Sequence, residues 1–369
     1  MRGRESEYLF PMIKKRRTKG VGIGLGALML VALLTASCTP VTVSFELFGR
    51  EKKLTETVVS DDERAMYKVA VIDIQGTIVD ANLPPFFSRG GNPVDDVVAR
   101  LEMARQDVSV KAVVLRINSP GGSVTGSDEV YREVLRFKEI SGKPVVISMA
   151  EVAASGGYYV SLAGDKIVAH PTTITGSIGV IIPTINFSAG LAKIGIVARS
   201  VKSGPNKDLA NPLEPMRDSQ YVVLQNLVDQ FYEEFKAKVK ERRPNLDMAK
   251  FGEMTDGRIV SGRDALALGL VDSLGGVRDA FDEAKKLANI PSAKMVKYQP
   301  EGSIRPRTPY ASADELPLGA GLPAGAGLGA GSGSGGTEIN MLQVNASGLF
   351  PNSGPSASCV YYLWLMDVP

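Results

Sequence analysis

The sequence predicts an α/β protein with a mainly parallel sheet, because strand-like and helix-like segments alternate and the connections between strands are long. From Tyr67 onwards, short β-branched runs alternate with helical stretches, and crossovers of this length favour βαβ units. The predicted strands are Lys68–Ile74, Ala112–Ile117, Val145–Ala150, Lys166–Ala169, Ile178–Ile182 and Ile196–Val201. The predicted helices are Val94–Arg105, Ser127–Glu139, Ser155–Ala163, Arg217–Arg242, Gly262–Ala267 and Val277–Ala288. Ligands in such sheets bind at the loops that leave the carboxyl ends of strands.

An uncharged segment near the N-terminus predicts a membrane anchor. Gly20–Ser37 holds 18 residues without a charge and follows a basic run. A helix of that length spans ~27 Å, close to the ~30 Å hydrocarbon core of a bilayer. The basic flank keeps the N-terminus in the cytoplasm and exports the rest of the chain. We expect a retained single-pass anchor. The alternative is a lipoprotein signal over Leu34–Cys38, cleaved so that Cys38 is acylated.

The chain divides by composition into five predicted parts. They are a cytoplasmic basic N-terminus (1–19), the membrane or signal segment (20–37), a polar spacer (38–66), the folded domain (67–298) and a Gly/Pro/Ser-rich tail (299–369). The tail is dominated by small residues that cannot offset their ordering entropy by burial, so it is predicted to be flexible.

Two scarce residue types limit the chemistry. The chain has one histidine, His170, and two cysteines, Cys38 and Cys359. Metal sites built from several histidines or cysteines are therefore excluded, and no metal or other cofactor is expected. A net charge of +2 gives no indication of nucleic-acid binding. A hydrolase with so little histidine needs another base, and a lysine can serve because burial lowers the pKa of an amine.

Two loops after predicted strands could carry acyl-transfer chemistry. Asn118–Ser123 has a proline and two glycines, so it can expose backbone N–H groups to a developing oxyanion, although it could be a simple turn. Glu151–Tyr159 places Ser155 among small residues where a helix begins. The serine there is either a helix cap or a nucleophile.

A third region adds a candidate base. Thr175–Val180 is glycine-rich, and Lys202–Asp208 carries Lys207 in a loop with glycine and proline. Taken alone, a loop lysine is ordinarily a solvated surface residue.

Together these stretches resemble the signal peptide peptidase A family, in its single-length bacterial form. The matching residues are Asn118-Ser-Pro-Gly-Gly122, Ala154-Ser-Gly-Gly-Tyr-Tyr159, Thr175-Gly-Ser-Ile-Gly-Val180 and Lys202-Ser-Gly-Pro-Asn-Lys-Asp208. The interval between Ser155 and Lys207 also agrees with the spacing in that family. The resemblance covers roughly Tyr67 to Lys297, and the Gly-rich tail is not part of it.

The resemblance implies a fold and a set of roles. The fold would have the repeated β-β-α units of caseinolytic proteases and crotonases. Ser155 would be the nucleophile and Lys207 the general base, with Ser177 orienting the lysine. The backbone N–H groups of Gly122 and Gly156 would form the oxyanion hole.

It also implies partners. Substrates would be short apolar peptides, including signal peptides left after secretion. Members of the family form ring-like homo-oligomers, often octamers, in which the serine and the lysine can come from adjacent subunits.

Two other functions fit parts of the sequence. A crotonase-type enzyme acting on acyl-CoA shares the glycine-rich oxyanion loop, but it would be cytoplasmic and would not need both Ser155 and Lys207. A catalytically inactive membrane scaffold that binds peptides would need neither residue. An assay of peptide amides against acyl-CoA, with labelling of the serine, separates the three.

Overall fold

The computed structural model describes residues 53–59, 64–82, 91–303, 305–311 and the strand Tyr361–Leu363. The predicted membrane segment 20–37 and Cys38 lie outside these residues. Within the described parts of the chain, no helix is long and apolar enough to cross a membrane.

A mainly parallel sheet forms the centre of the domain, as predicted. Its strands are β1 Leu54–Val58, β2 Lys68–Gln75, β3 Val110–Ser119, β5 Val145–Ala154, β6 Lys166–Ala169, β7 Ile174–Gly176, β8 Ile259–Ser261, β9 Ser273–Leu274 and β10 Lys294–Pro300. They lie in the order β1-β10-β2-β3-β5-β6-β9, and β7 pairs with both β5 and β8. The β1–β10 and β7–β8 pairs are antiparallel, and the other pairs in this sheet are parallel. A separate two-stranded sheet joins β4 (Gly121–Ser123) to β11 (Tyr361–Leu363).

Helices cover both faces of the sheet. They are α1 Pro93–Gln106, α2 Val124–Ser141, α3 Gly156–Ser161, α4 Ser188–Lys193, α5 Asp218–Arg242, α6 Phe251–Met254, α7 Gly262–Ala267 and α8 Val277–Leu287, with a 3-10 turn at Met248–Lys250. Alternate strand residues face opposite layers: Leu115 packs in the cluster with α1, α2 and α3, whereas Val114 packs in the cluster with α8. Burial on both faces is typical of parallel sheets and explains the near-continuous apolar strands.

Two predicted strands do not form. At Ile178–Ile182 the chain has already left the sheet, because Gly176 and Ser177 both have positive φ (81° and 49°) and end β7. The segment Ile196–Val201 is not in a strand either, and its side chains are largely exposed, Val197 by 74%.

The sheet extends beyond the predicted domain at both ends. β1 lies within the predicted spacer and pairs with β10, a strand that the sequence pattern did not indicate. The fully buried Lys297 of β10 forms an ion pair with Asp73 at 2.7 Å and donates a hydrogen bond to Ala311 O at 2.7 Å. Ala311, which composition places in the tail, therefore lies against the sheet.

Candidate active site

Parallel pairing of β5 with β7 brings two of the predicted site serines together. Ala154 and Gly176 are register partners, so Ser155 and Ser177 each follow a paired residue. Ser155 N donates to Gly176 O at 2.8 Å, and Ser177 N donates to Arg258 O at 2.8 Å. Both serines are buried and both have positive φ.

Ser155 occupies a strained turn between β5 and α3. Its φ of 53° and ψ of −117° lie in a region that non-glycine residues rarely adopt. Such a backbone costs on the order of 1–3 kcal/mol. Ser155 occupies the N-cap position of α3, but its side chain makes no capping hydrogen bond. Ser155 is 1% exposed, and its Oγ has no hydrogen-bond partner among the described residues.

The glycine loop after β3 packs tightly against Ile78. Ile78 N donates to Gly121 O and Ser123 N donates to Ile78 O, both at 2.9 Å. A Cβ built on Gly122 would lie 1.8 Å from Ile78 O, so only glycine fits there. Because alternate residues of a strand direct their N–H groups to opposite edges, the Gly122 N–H faces away from Ile78.

The two predicted oxyanion-hole glycines lie side by side. A Cβ built on Gly156 would lie 3.1 Å from Gly122 N and 2.3 Å from Ser127 Oγ. Gly156 directly follows Ser155, so the Gly122 amide lies beside the residue next to the serine. Two N–H donors next to a hydroxyl form an arrangement that can stabilise a tetrahedral oxyanion.

Lys207, the predicted base, forms no hydrogen bond with the Ser155 hydroxyl among the described residues. It is exposed, and no described residue forms a hydrogen bond or ion pair with its Nζ. The neighbouring Asp208 instead binds Lys202 and accepts a hydrogen bond from Gln220 Nε2 at 3.0 Å. The hydrogen bond from Lys202 holds the pKa of Asp208 below its ordinary value.

The segment around Lys207, residues 181–223, is named the arm here. It carries an unusual number of exposed apolar side chains. They are Ile181, Ile185, Phe187, Ile194, Ile196, Val197, Val201, Leu213, Tyr221, Val222 and Val223. A concentration of exposed apolar residues marks an interaction surface rather than an ordinary solvated loop.

An extended segment of the same chain lies on the free edge of the glycine loop. β11 pairs antiparallel with β4, with Tyr361, Tyr362 and Leu363 opposite Ser123, Gly122 and Gly121. It also lies against α2 and α3. The sequence shows an apolar run at this point but does not indicate where it binds. The edge beside Ser155 can therefore receive an extended backbone.

The fold and the site together define a serine peptidase of α/β architecture. The family model of peptidase family S49 matches residues 138–291, and that of Clp protease matches residues 91–177. A protein of Enterococcus faecium named as a signal peptide peptidase SppA is 34% identical over 296 residues, which cover 78% of this chain and 85% of that protein. The chain belongs to this signal peptide peptidase A family, peptidase family S49.

Two longer relatives share the same region. Protease 4 of Haemophilus influenzae is 37% identical over 60% of this chain, and the chloroplastic serine protease SPPA of Arabidopsis thaliana is 32% identical over 69%. The matches cover 35% and 37% of those two proteins.

Proposed function

We propose that this chain is a membrane-tethered endopeptidase that uses a Ser155–Lys207 dyad to cut short apolar peptides, including signal peptides left after secretion. The observation that carries the proposal is the state of Ser155. Its hydroxyl is buried, unpaired within the described residues and held in a strained turn beside the amides of Gly122 and Gly156. Strain of this kind concentrates at functional sites.

The general base is proposed to come from a neighbouring subunit. In the single chain Lys207 is exposed on the arm, while the Ser155 hydroxyl has no partner in the part of the chain that the structure describes. Docking of the arm onto a second copy would bury its apolar residues and bring the amine to the serine. Burial disfavours the charged form of an amine, which is what a base requires. In a closed ring of heterologous contacts, such as an octamer, every serine receives a lysine from the neighbouring copy.

The chemistry then follows from these positions. The neutral amine of Lys207, oriented by the Ser177 hydroxyl, accepts the proton of Ser155 Oγ as that oxygen bonds to the peptide carbonyl carbon. The N–H groups of Gly122 and Gly156 hold the resulting oxyanion, each contributing about 3–4 kcal/mol to the fall in the barrier. The protonated amine gives its proton to the leaving nitrogen, and the C–N bond breaks. Water then hydrolyses the acyl-enzyme with the same amine as base.

Strand addition is the proposed mode of substrate binding. The pairing of β11 with β4 supports it, because an extended peptide can add to that edge next to Ser155. Main-chain hydrogen bonds of this type hold a peptide with little regard to its sequence. This suits an enzyme that clears varied apolar peptides.

The proposed location is the outer face of the cell membrane, with the segment 20–37 as a single anchor. The alternative is attachment through acylated Cys38. Mass spectrometry of protein extracted from membranes separates the two, since an intact Met1 rejects the lipoprotein form.

Active-site labelling tests the nucleophile and the base. Full-length protein in detergent is treated with a fluorophosphonate, which reacts with an activated serine. We expect labelling and peptidase activity in the wild type, and neither in Ser155→Ala. Lys207→Met should lose both, while Lys193→Met, a change at an exposed lysine of the same arm, should keep them. Labelling that persists in Ser155→Ala contradicts the proposal, and an unlabelled wild type indicates an inactive scaffold.

Subunit mixing tests whether the dyad is shared. Ser155→Ala and Lys207→Met proteins are each expected to be inactive. Random assembly of equal amounts joins an intact serine to an intact lysine at up to about a quarter of the sites, so activity should return toward that fraction. Dyads formed within one subunit would give no recovery.

A further inference from the structure

Ser127 places a third polar group at the oxyanion hole. It lies in the first turns of α2 and is fully buried, and its Oγ has no hydrogen-bond partner among the described residues. The Cβ position of Gly156 lies 2.3 Å from this oxygen and 3.1 Å from Gly122 N. The hydroxyl therefore lies beside the backbone of Gly156 and Gly122, the two residues predicted to supply the oxyanion donors.

The unpaired state of Ser127 is unusual for a helical serine. Serine inside a helix ordinarily faces solvent or donates to the carbonyl one turn earlier. Two other buried serines nearby do have partners: Ser161 Oγ donates to Gly157 O at 2.8 Å, and Ser119 Oγ donates to Gly121 O at 3.3 Å. A buried hydroxyl without a partner costs about 1–3 kcal/mol. A partner that arrives with the substrate would remove that penalty.

We propose that the Ser127 hydroxyl donates a third hydrogen bond to the oxyanion formed on the scissile carbonyl, beside the amides of Gly122 and Gly156. The inference rests on the proposed function, in which Ser155 attacks that carbonyl. The hydroxyl supplies one O–H donor and needs no change of charge. It lies on a helix whose position is fixed by packing, so the donor is held in place before the reaction.

Stability and activity should respond in opposite directions when Ser127 becomes alanine. Ser127→Ala removes an unpaired buried hydroxyl and leaves the Cβ, so the thermal midpoint should be unchanged or higher. The loss of one oxyanion donor should lower kcat by about 10²–10³-fold with KM little changed. A peptide aldehyde, whose hemiacetal places an oxygen in the same hole, should bind more weakly by a similar factor.

The experiment compares the wild type with Ser127→Ala, Ser127→Cys, Ser141→Ala and Ser155→Ala as full-length proteins in detergent. Kinetics on a peptide amide, aldehyde inhibition and the thermal midpoint are measured for each. Ser127→Cys keeps a weak donor and should give a kcat between those of serine and alanine. Ser141→Ala removes a hydroxyl from the other end of α2, where Oγ donates to Phe137 O at 2.6 Å, and should keep kcat.

The outcomes are distinct. An unchanged kcat and aldehyde affinity in Ser127→Ala overturns the role of Ser127, and so does a loss of kcat that accompanies a clear loss of stability. Activity that survives in Ser155→Ala would instead overturn the proposed function itself.

Discussion

The strained backbone of Ser155 leads to a quantitative prediction about stability. Glycine adopts φ 53°, ψ −117° without steric penalty, whereas alanine retains the strain of the native serine. The strain lies at the upper end of the usual range, about 3 kcal/mol, because ψ is far from the left-handed helical well. The glycine variant loses about 1 kcal/mol of stability relative to the alanine variant, because its unfolded chain has the greater conformational entropy. It loses about 0.8 kcal/mol more because it lacks the methyl group that alanine buries.

We therefore expect Ser155→Gly to be more stable than Ser155→Ala by about 1 kcal/mol, which corresponds to about 2–4 °C in the thermal midpoint of a domain of this size. Both variants are inactive, so autolysis does not affect the comparison. Calorimetry or circular dichroism on parallel samples measures the difference.

A matched control lies two residues earlier. Ala153 is also buried, but it sits in β5 and is not among the positive-φ residues. Ala153→Gly should therefore destabilise by about 1–2 kcal/mol, with the sign reversed. If Ser155→Gly is no more stable than Ser155→Ala, the inference of strain at the nucleophile is refuted.

Three further predictions concern the rest of the domain. Deletion of residues 357–369 frees the β4 edge and should lower KM for peptides, as steady-state kinetics will show; an unchanged or higher KM argues against competition for that edge. The activity should fall toward acid, because a protonated amine cannot act as the base, and a flat profile with chemistry limiting would argue against a lysine base. Asp208 cannot cause this fall, because its lowered pKa means that its pairing with Lys202 is lost only below the ordinary carboxyl range. Arg243→Ala should lower the free energy of unfolding, measured in urea, by about 3 kcal/mol. The substitution leaves Asp272 without the two guanidinium hydrogen bonds, of 2.9 and 3.2 Å, that it accepts from Arg243. A change below about 1 kcal/mol would contradict this.

The central strands and the longer helices could be predicted from the sequence because their signals are local. Helix α1 begins at Pro93, one residue from the predicted start, and Asn92 caps it by accepting from Val94 N at 2.9 Å. The short β-branched runs predicted the central strands, which the structure buries on both faces. The loops Asn118–Ser123 and Glu151–Tyr159 were predicted for the same reason, since β3 and β5 end within them.

The misses came from interactions between distant residues. β10 was not predicted because its pattern includes Lys297, which is buried only because Asp73, 224 positions earlier, provides its partner. The run Ile196–Val201 has strand propensity but pairs with no strand of the described residues, which propensity alone does not reveal. Ser127 gave no signal either, because its significance depends on its contact with Gly156 and not on its neighbours in sequence.

The site combines three features that each reduce the stability of the single chain. Ser155 is strained, the hydroxyls of Ser155 and Ser127 are buried without partners among the described residues, and the arm exposes apolar residues around Lys207. Each penalty would be relieved by something that the proposed reaction supplies: a base for Ser155, an oxyanion for Ser127 and a second subunit for the arm. A domain that only bound peptides would need the free β4 edge but would gain nothing from the strain. The occurrence in one domain of a strained serine, two buried hydroxyls without partners among the described residues and an exposed apolar arm around the predicted base therefore favours catalysis over binding.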